Sequence, residues 1–123
     1  MPGVSVVSVP VTDQDRAAAF YTEYLGFRVI EDQQMGPDMR WVQLGCDGQQ
    51  ATITLTTWFD VMTPGTVQGL LVDVDDADGT RSKMAAAGIE CSELDEQPWG
   101  RFFTTKDPDG NGVIVARTTS AHS

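Results

Sequence analysis

The side chains able to do chemistry in this sequence are rings, hydroxyls and amides rather than acids and bases at catalytic spacing. Trp41, Trp58 and Trp99 are its three tryptophans, and Gln43, Arg101, Phe103 and the alternating Thr52, Thr54 and Thr56 accompany them. A ring can stack on a flat apolar ligand, while a guanidinium, amide or hydroxyl fixes the ligand's polar end. Trp41, Gln43, Thr52, Thr54, Trp58, Trp99, Arg101 and Phe103 are therefore the candidate ligand-binding residues. Each also has an ordinary structural reading. A tryptophan can be core or sheet edge, Arg101 can pair with one of the 18 acidic residues, and the threonine row can be a solvated sheet face. Within the set, Trp99-Gly100-Arg101 is favoured, because glycine allows close backbone approach beside a ring and a guanidinium.

Other site chemistries are missing. There is no glycine-rich phosphate loop, no Ser/His/Asp set and no Cys–His pair. His122 is the sole histidine and lies in a small, polar tail from Thr118 to Ser123 that is expected to fray. Cys46 and Cys91 follow no metal-binding spacing and read as reduced structural thiols. The neighbouring carboxylates Asp75-Asp76 and Asp107/Asp109 sit at a helix start and a turn, where capping explains them. No catalytic residue and no cofactor is assigned.

The chain has 123 residues, one domain's worth, with a formal net charge of −10 and a pI near 4.2. So acidic a chain, with 8 basic residues, is a poor partner for nucleic acid or for anionic membrane surfaces. No apolar run reaches the length of a membrane span and no signal-like start is present, so the expected location is cytoplasmic.

Stepping the hydrophobic pattern along the chain gives the elements that must hold these residues. Ser5 to Val11 is a buried strand. Thr12 offers a helix N-cap with Asp15 three residues on, and Ala17, Phe20, Tyr21, Tyr24 and Leu25 then form one apolar stripe ended by Gly26. Strands follow at Phe27 to Gln34, Arg40 to Leu44 and Ala51 to Thr57. In the last, Ile53 and Leu55 should face the helix with Val42 and Leu44, leaving Trp41 and Gln43 on the threonine side. Phe59 to Thr66 is a connector. The pattern then restarts with a strand from Leu70 to Val74, a helix from Asp76 to Ala87 ended by Gly88, and a strand from Ile89 to Ser92. Gly79, inside that second helix, should cost it roughly 1 kcal/mol.

A final hairpin, Gln97 to Ala116, turns over Asp107-Pro108-Asp109-Gly110-Asn111-Gly112, where proline fixes φ and glycine and asparagine tolerate positive φ. The two halves repeat. Val9, Val11, Asp13 and Asp15 match Val72, Val74, Asp76 and Asp78, 63 positions on. The expected fold is α+β, with tandem βαβββ modules at about 4–57 and 67–117, joined by a connector at 58–66, forming one domain over 1–123. They should make a curled mixed sheet around a cleft, with the helices on the outer face.

Paired βαβββ modules, a strand-TxD-helix opening, Phe20-Tyr21 through Leu25-Gly26-Phe27 as a helix close, and the DPDGN turn together resemble the vicinal oxygen chelate superfamily. That group contains the glyoxalase, bleomycin-resistance and extradiol-dioxygenase proteins. The resemblance covers nearly the whole chain and implies a cleft shaped by both modules, with two chains commonly building two clefts as a homodimer. Open edges on a single curled sheet point to the same pairing. In the superfamily's metalloenzymes, His, Gln or Glu ligands occupy the first and fourth strands of each module. The matching positions here are Val6, Thr54, Gly69 and Ile114. None offers an imidazole or carboxylate, and a shift of one residue brings in Gln68 alone. The expectation is a metal-free binding protein for a small aromatic or amphipathic compound, like the drug-sequestering bleomycin-resistance branch. The alternative is a lyase, isomerase or dioxygenase of the same superfamily with an atypical metal site.

Overall fold

Eight strands and two helices build two four-stranded mixed sheets, seen in a computed structural model that describes residues 4–49 and 51–118. The first sheet holds β1 (Val6–Pro10), β2 (Arg28–Gly36), β3 (Met39–Gly45) and β4 (Thr52–Thr56) in the order β1-β4-β3-β2. The second holds β5 (Leu70–Asp73), β6 (Asp95–Gln97), β7 (Gly100–Lys106) and β8 (Gly112–Thr118) in the order β5-β8-β7-β6. In each, the first strand runs parallel to the last and the remaining pairs are antiparallel. The βαβββ repeat is thus present twice, as two sheets rather than one continuous curl. His122 and the tail beyond Thr118 lie outside the described residues.

Helix α1 (Gln14–Leu25) buries Ala17, Phe20, Tyr21 and Leu25 of the expected stripe, with Tyr24 only partly buried against the core, and ends at Gly26 in the left-handed region (φ 77°). Its cap differs from expectation. Asp13, not Thr12, accepts from the Arg16 amide at 3.1 Å. Thr12 instead gives its hydroxyl to Asp109 of the last turn at 2.6 Å. Helix α2 (Ala77–Ala86) is capped by Asp76, which accepts from Gly79 at 3.0 Å. A Cβ on Gly79 would stand 2.5 Å from that same carboxylate, so the interior glycine makes room for the cap.

The expected strand at Ile89 to Ser92 does not form. Cys91 makes one isolated bridge to Thr105, and the edge strand lies further on at β6. Side chains interrupt the ladder there. The Ser92 hydroxyl accepts from the Thr104 amide at 2.8 Å, and the Thr105 hydroxyl donates to the Glu90 carbonyl at 2.8 Å. Regular pairing resumes only at the hairpin turning over Pro98-Trp99.

Alternation sorts both sheets. Val9, Val42, Leu44, Ile53 and Leu55 join Val72, Phe103, Val113 and Val115 in one core with the helix residues Phe20, Tyr21 and Met84. This core lies under the helices, leaving the opposite sheet faces to carry the site. The modules are joined through the last turn. Asn111, fully buried, gives its amide to the Pro10 carbonyl and the Asp107 carboxylate, both at 2.9 Å. Its oxygen accepts from the connector amides of Gly65 at 3.0 Å and Val67 at 3.2 Å. Asp107 in turn accepts from the Tyr21 hydroxyl of α1 at 2.9 Å. Burial, and next the nearby Asp107 charge, raise the Tyr21 pKa well above its ordinary value. The turn read from DPDGN as a local hairpin device is therefore also the clasp between the two halves.

Candidate functional site

On the first sheet, the face turned from the helices carries Trp41 and Gln43 of β3 beside the threonines of β4. Gln43 lies opposite Thr54 in the ladder. The Trp41 indole donates to the Gln43 side-chain oxygen at 3.0 Å, the Gln43 amide to the Thr52 hydroxyl at 2.9 Å, and Thr52 to the Ser5 carbonyl at 2.6 Å. Trp58 lies 6.2 Å from Trp41, centroid to centroid, and Phe59 lies 5.7 Å beyond it. The result is a short aromatic row whose polar edge is already tied down.

The threonine row is not the solvated face that its alternation also allowed. Thr54 and Thr56 are each 1 % exposed. Thr54 donates to the Val42 carbonyl at 3.0 Å and Thr56 to the Val9 carbonyl at 3.5 Å. Their hydroxyl protons serve the sheet rather than a ligand.

Two of the expected site residues belong to the other side of β7. Phe103 has no exposed surface and packs in the core opposite Val115. Arg101 reaches α2, donating to Asp78 at 2.6 and 3.2 Å and to Glu96 at 3.1 Å. The hydrogen bond to Arg101 holds the Asp78 carboxyl below the usual carboxylate range. Gly100 has a similar correction. A Cβ there would meet the Arg117 carbonyl at 2.6 Å, so the glycine permits pairing with β8 rather than approach of a ligand.

What β7 offers the open face is the alternate set, Phe102, Thr104 and Lys106. Trp99 stacks on Phe102, with centroids 5.0 Å apart and planes 24° from parallel, and remains 44 % exposed. Thr104 and Lys106 then line a cavity of about 490 Å³ with Gln68, Cys91, Ser92 and Ile114. Gln68 crosses the face where Gly112 has no side chain, and a Cβ on Gly112 would collide with its amide. The structure thus groups Trp41, Gln43, Thr52, Thr54 and Trp58 on one sheet and sets Trp99 on the other. Phe102, Thr104 and Lys106 were missed. The parity signal that locates them is the pairing of Phe103 and Thr105 with the buried Val115 and Val113.

A second hollow, of about 450 Å³, opens where Gly26, Asp47, Asp73, Asp75 and Asp76 approach one another. Three of its four carboxylates have structural partners, Arg28 for Asp47, Thr118 for Asp73 and Gly79 for Asp76. The Cys46 thiol beside it has its pKa pushed up by burial and then by Asp47, the opposite of an activated cysteine.

The resemblance to a superfamily with metalloenzymes implies metal donors on the paired strands of each module. The register opposes Ser8 to Thr54 and Leu71 to Ile114, with Val6 opposite Thr52. Hydroxyl and alkyl groups fill these places, and among the described residues no group of three His, Cys, Asp or Glu is placed to hold an ion. A divalent transition metal wants three or more N, O or S donors, so these residues do not fit one.

Two mixed βαβββ sheets, with helices on one side and ring-bearing open faces on the other, define a paired-module cleft protein. The chain belongs to the Glyoxalase/Bleomycin resistance protein/Dioxygenase superfamily, whose family model matches residues 3–115. It is 32% identical over 116 residues to the uncharacterized protein YetH of Bacillus subtilis (strain 168), covering 91% of this chain and 95% of that one. Among solved structures it resembles TnmS3, an antibiotic binding protein from Streptomyces sp. CB03234, at 35% identity and a TM-score of 0.88, over 97% of this chain and 98% of that one. A glyoxalase/bleomycin resistance protein from the same Streptomyces aligns at 36% identity and a TM-score of 0.83, over 94% and 100%. No helix among the described residues is long and apolar enough to cross a membrane.

Proposed function

We propose that this chain is a small-molecule binding protein of the glyoxalase/bleomycin-resistance type, sequestering an aromatic or amphipathic compound without a metal. The observation that carries the reading is the makeup of the open sheet faces. They present Trp41, Trp58, Trp99 and Phe102 with a few amides, hydroxyls and one ammonium, while Val6, Thr54, Gly69 and Ile114, the positions the resemblance matches to the superfamily's ligands, offer no imidazole or carboxylate. Ring surface beside sparse polar groups suits stacking and orientation rather than Lewis-acid chemistry. The likeness to an antibiotic binding protein supports small-molecule binding.

Purified protein, after growth with added metals, should contain far less than one transition-metal ion per chain by elemental analysis. It should also bind polycyclic aromatic drugs by calorimetry. One tightly held Zn, Ni, Mn or Fe per chain together with turnover of a methylglyoxal–thiol adduct or a catechol would replace this reading with the enzyme alternative.

The working unit in this proposal is a homodimer. Val29, Ile30 and Met35 of the open edge strand β2 are about half exposed, as are Phe59 and Leu71. An uncovered edge with apolar side chains is the feature pairing removes. Light scattering should give about twice the 13.3 kDa chain mass. A monomer persisting at micromolar concentration would end the proposal.

A further inference from the structure

Strand β7 sets two different groups on one face at a fixed spacing. Alternation puts Phe102, Thr104 and Lys106 on the open side, because Phe103 is in the core and Arg101 reaches α2. The Trp99–Phe102 stack stands at one end and Lys106 at the other, four positions along the strand from Phe102. At roughly 3.3 Å per residue that is about 13 Å of rise.

Lys106 is the one basic residue lining the cavity, in a chain of net charge −10. Arg28, Arg40 and Arg101 are each bound to carboxylates, and Arg81 and Lys83 donate to backbone carbonyls, while Arg16 and Arg117, which share with Lys106 the lack of a side-chain partner among the described residues, do not border the cavity. Among the described residues, Lys106 has neither an ion pair nor a side-chain hydrogen bond, although it borders the 490 Å³ cavity and Glu90 borders it too. The Gln68 amide and the Thr104 hydroxyl, which line the same cavity, are equally without partners there. An ammonium left unpaired amid so many acids, with free hydrogen-bonding groups beside it, suits an incoming anion.

Resting on the proposed binding of a small aromatic compound, we propose the chemical class more closely. The ligand is an elongated fused-ring acid whose rings lie on Trp99 and whose carboxylate, or equivalent anionic group, meets Lys106, Gln68 and Thr104. Strand β7 then acts as a ruler. A single ring held at Trp99 falls short of the ammonium, whereas a linear three-ring acid spans both ends.

The test uses matched acid and amide pairs, anthracene-2-carboxylate against its carboxamide and benzoate against benzamide, titrated by calorimetry into wild type, Lys106→Met and Lys106→Arg. A hydrogen bond to a charged partner corresponds to roughly tenfold to a hundredfold in affinity. Wild type should prefer the anthracene acid over its amide by that factor and show no such preference for the benzene pair. Lys106→Met should erase the preference, lowering affinity for the anthracene acid far more than for its carboxamide, and Lys106→Arg should retain it. Lys106 is exposed, so all three proteins should melt alike. Equal wild-type affinity for the anthracene acid and amide, or a preference surviving Lys106→Met, overturns the inference and leaves the binding reading standing. If neither anthracene compound binds wild type, the binding reading falls, and this inference with it.

Discussion

Replacing Asn111 with alanine should lower the melting temperature by about 10–20 °C, more than any exposed polar change in the chain. The reason lies in what one fully buried side chain holds. Its amide donates to Pro10 at the end of β1 and to Asp107, and its oxygen accepts from Gly65 and Val67 in the connector. Truncation removes the side-chain partner of two part-buried amides and a buried carbonyl. Each such group costs about 1–3 kcal/mol, and partial relaxation brings the total to about 4 kcal/mol. Asn111→Asp checks that hydrogen bonding rather than volume is responsible. It keeps the shape and the acceptor toward Gly65 and Val67, loses both donors and sets a second carboxylate against Asp107. Both variants should unfold well below wild type in thermal denaturation. A fall of under about 3 °C for Asn111→Ala, the size of an ordinary surface change, would mean that the connector holds the two sheets in place without this clasp.

That clasp marks the limit of what the sequence discloses. The DPDGN turn is readable because proline, glycine and asparagine impose local backbone geometry. Nothing local says that Asp107 meets Tyr21, 86 positions away, or that Asn111 meets Pro10 across 101. The first helix was legible down to its buried stripe, since a 3.6-residue period reports the face that packs. Its cap was misplaced by one residue because Thr12 and Asp13 are both good capping residues, and only the distant Asp109 draws Thr12 away.

The sheets show the same division. TITLT alternates, so Ile53 and Leu55 fall on the core side with Val42 and Leu44 as expected, and Trp41 and Gln43 fall beside the threonines. Whether a threonine hydroxyl is free or bound to a carbonyl has no sequence signature, and Thr54 and Thr56 proved bound. In Arg101-Phe102-Phe103 two adjacent rings satisfy either parity. The register against Val113 and Val115 decides it, turning Phe103 inward and Phe102 outward. Arg101 follows Phe103 to the helix side, where Asp78 receives it. The expected strand parity was therefore wrong at Arg101 and Phe103, which lie on the helix side.

Trp99→Ala should separate binding from folding. In the proposed site Trp99 is the ring on which a flat ligand stacks, with Phe102 supporting it from behind at 5.0 Å. Its outer surface remains 44 % exposed, so little core contact is lost on truncation, and the hairpin is held by its own backbone pairing with β7. The expected change in stability is under about 1 kcal/mol. The change in binding is larger. A rigid aromatic anchor contributes about 1–3 kcal/mol to a small-ligand complex, so affinity for a polycyclic aromatic should fall tenfold to a hundredfold. Phe103→Ala is the informative opposite. With no exposed surface, that ring should cost about 3–5 kcal/mol of stability when removed. Calorimetric titration with a polycyclic aromatic drug, beside thermal melts of wild type and both variants, reads the two effects apart. A Trp99→Ala protein that binds as tightly as wild type would move the ligand off this hairpin, leaving the Trp41–Trp58 row as the alternative platform. One that melts as low as Phe103→Ala would make Trp99 a packing residue, whose fluorescence then reports folding rather than occupancy.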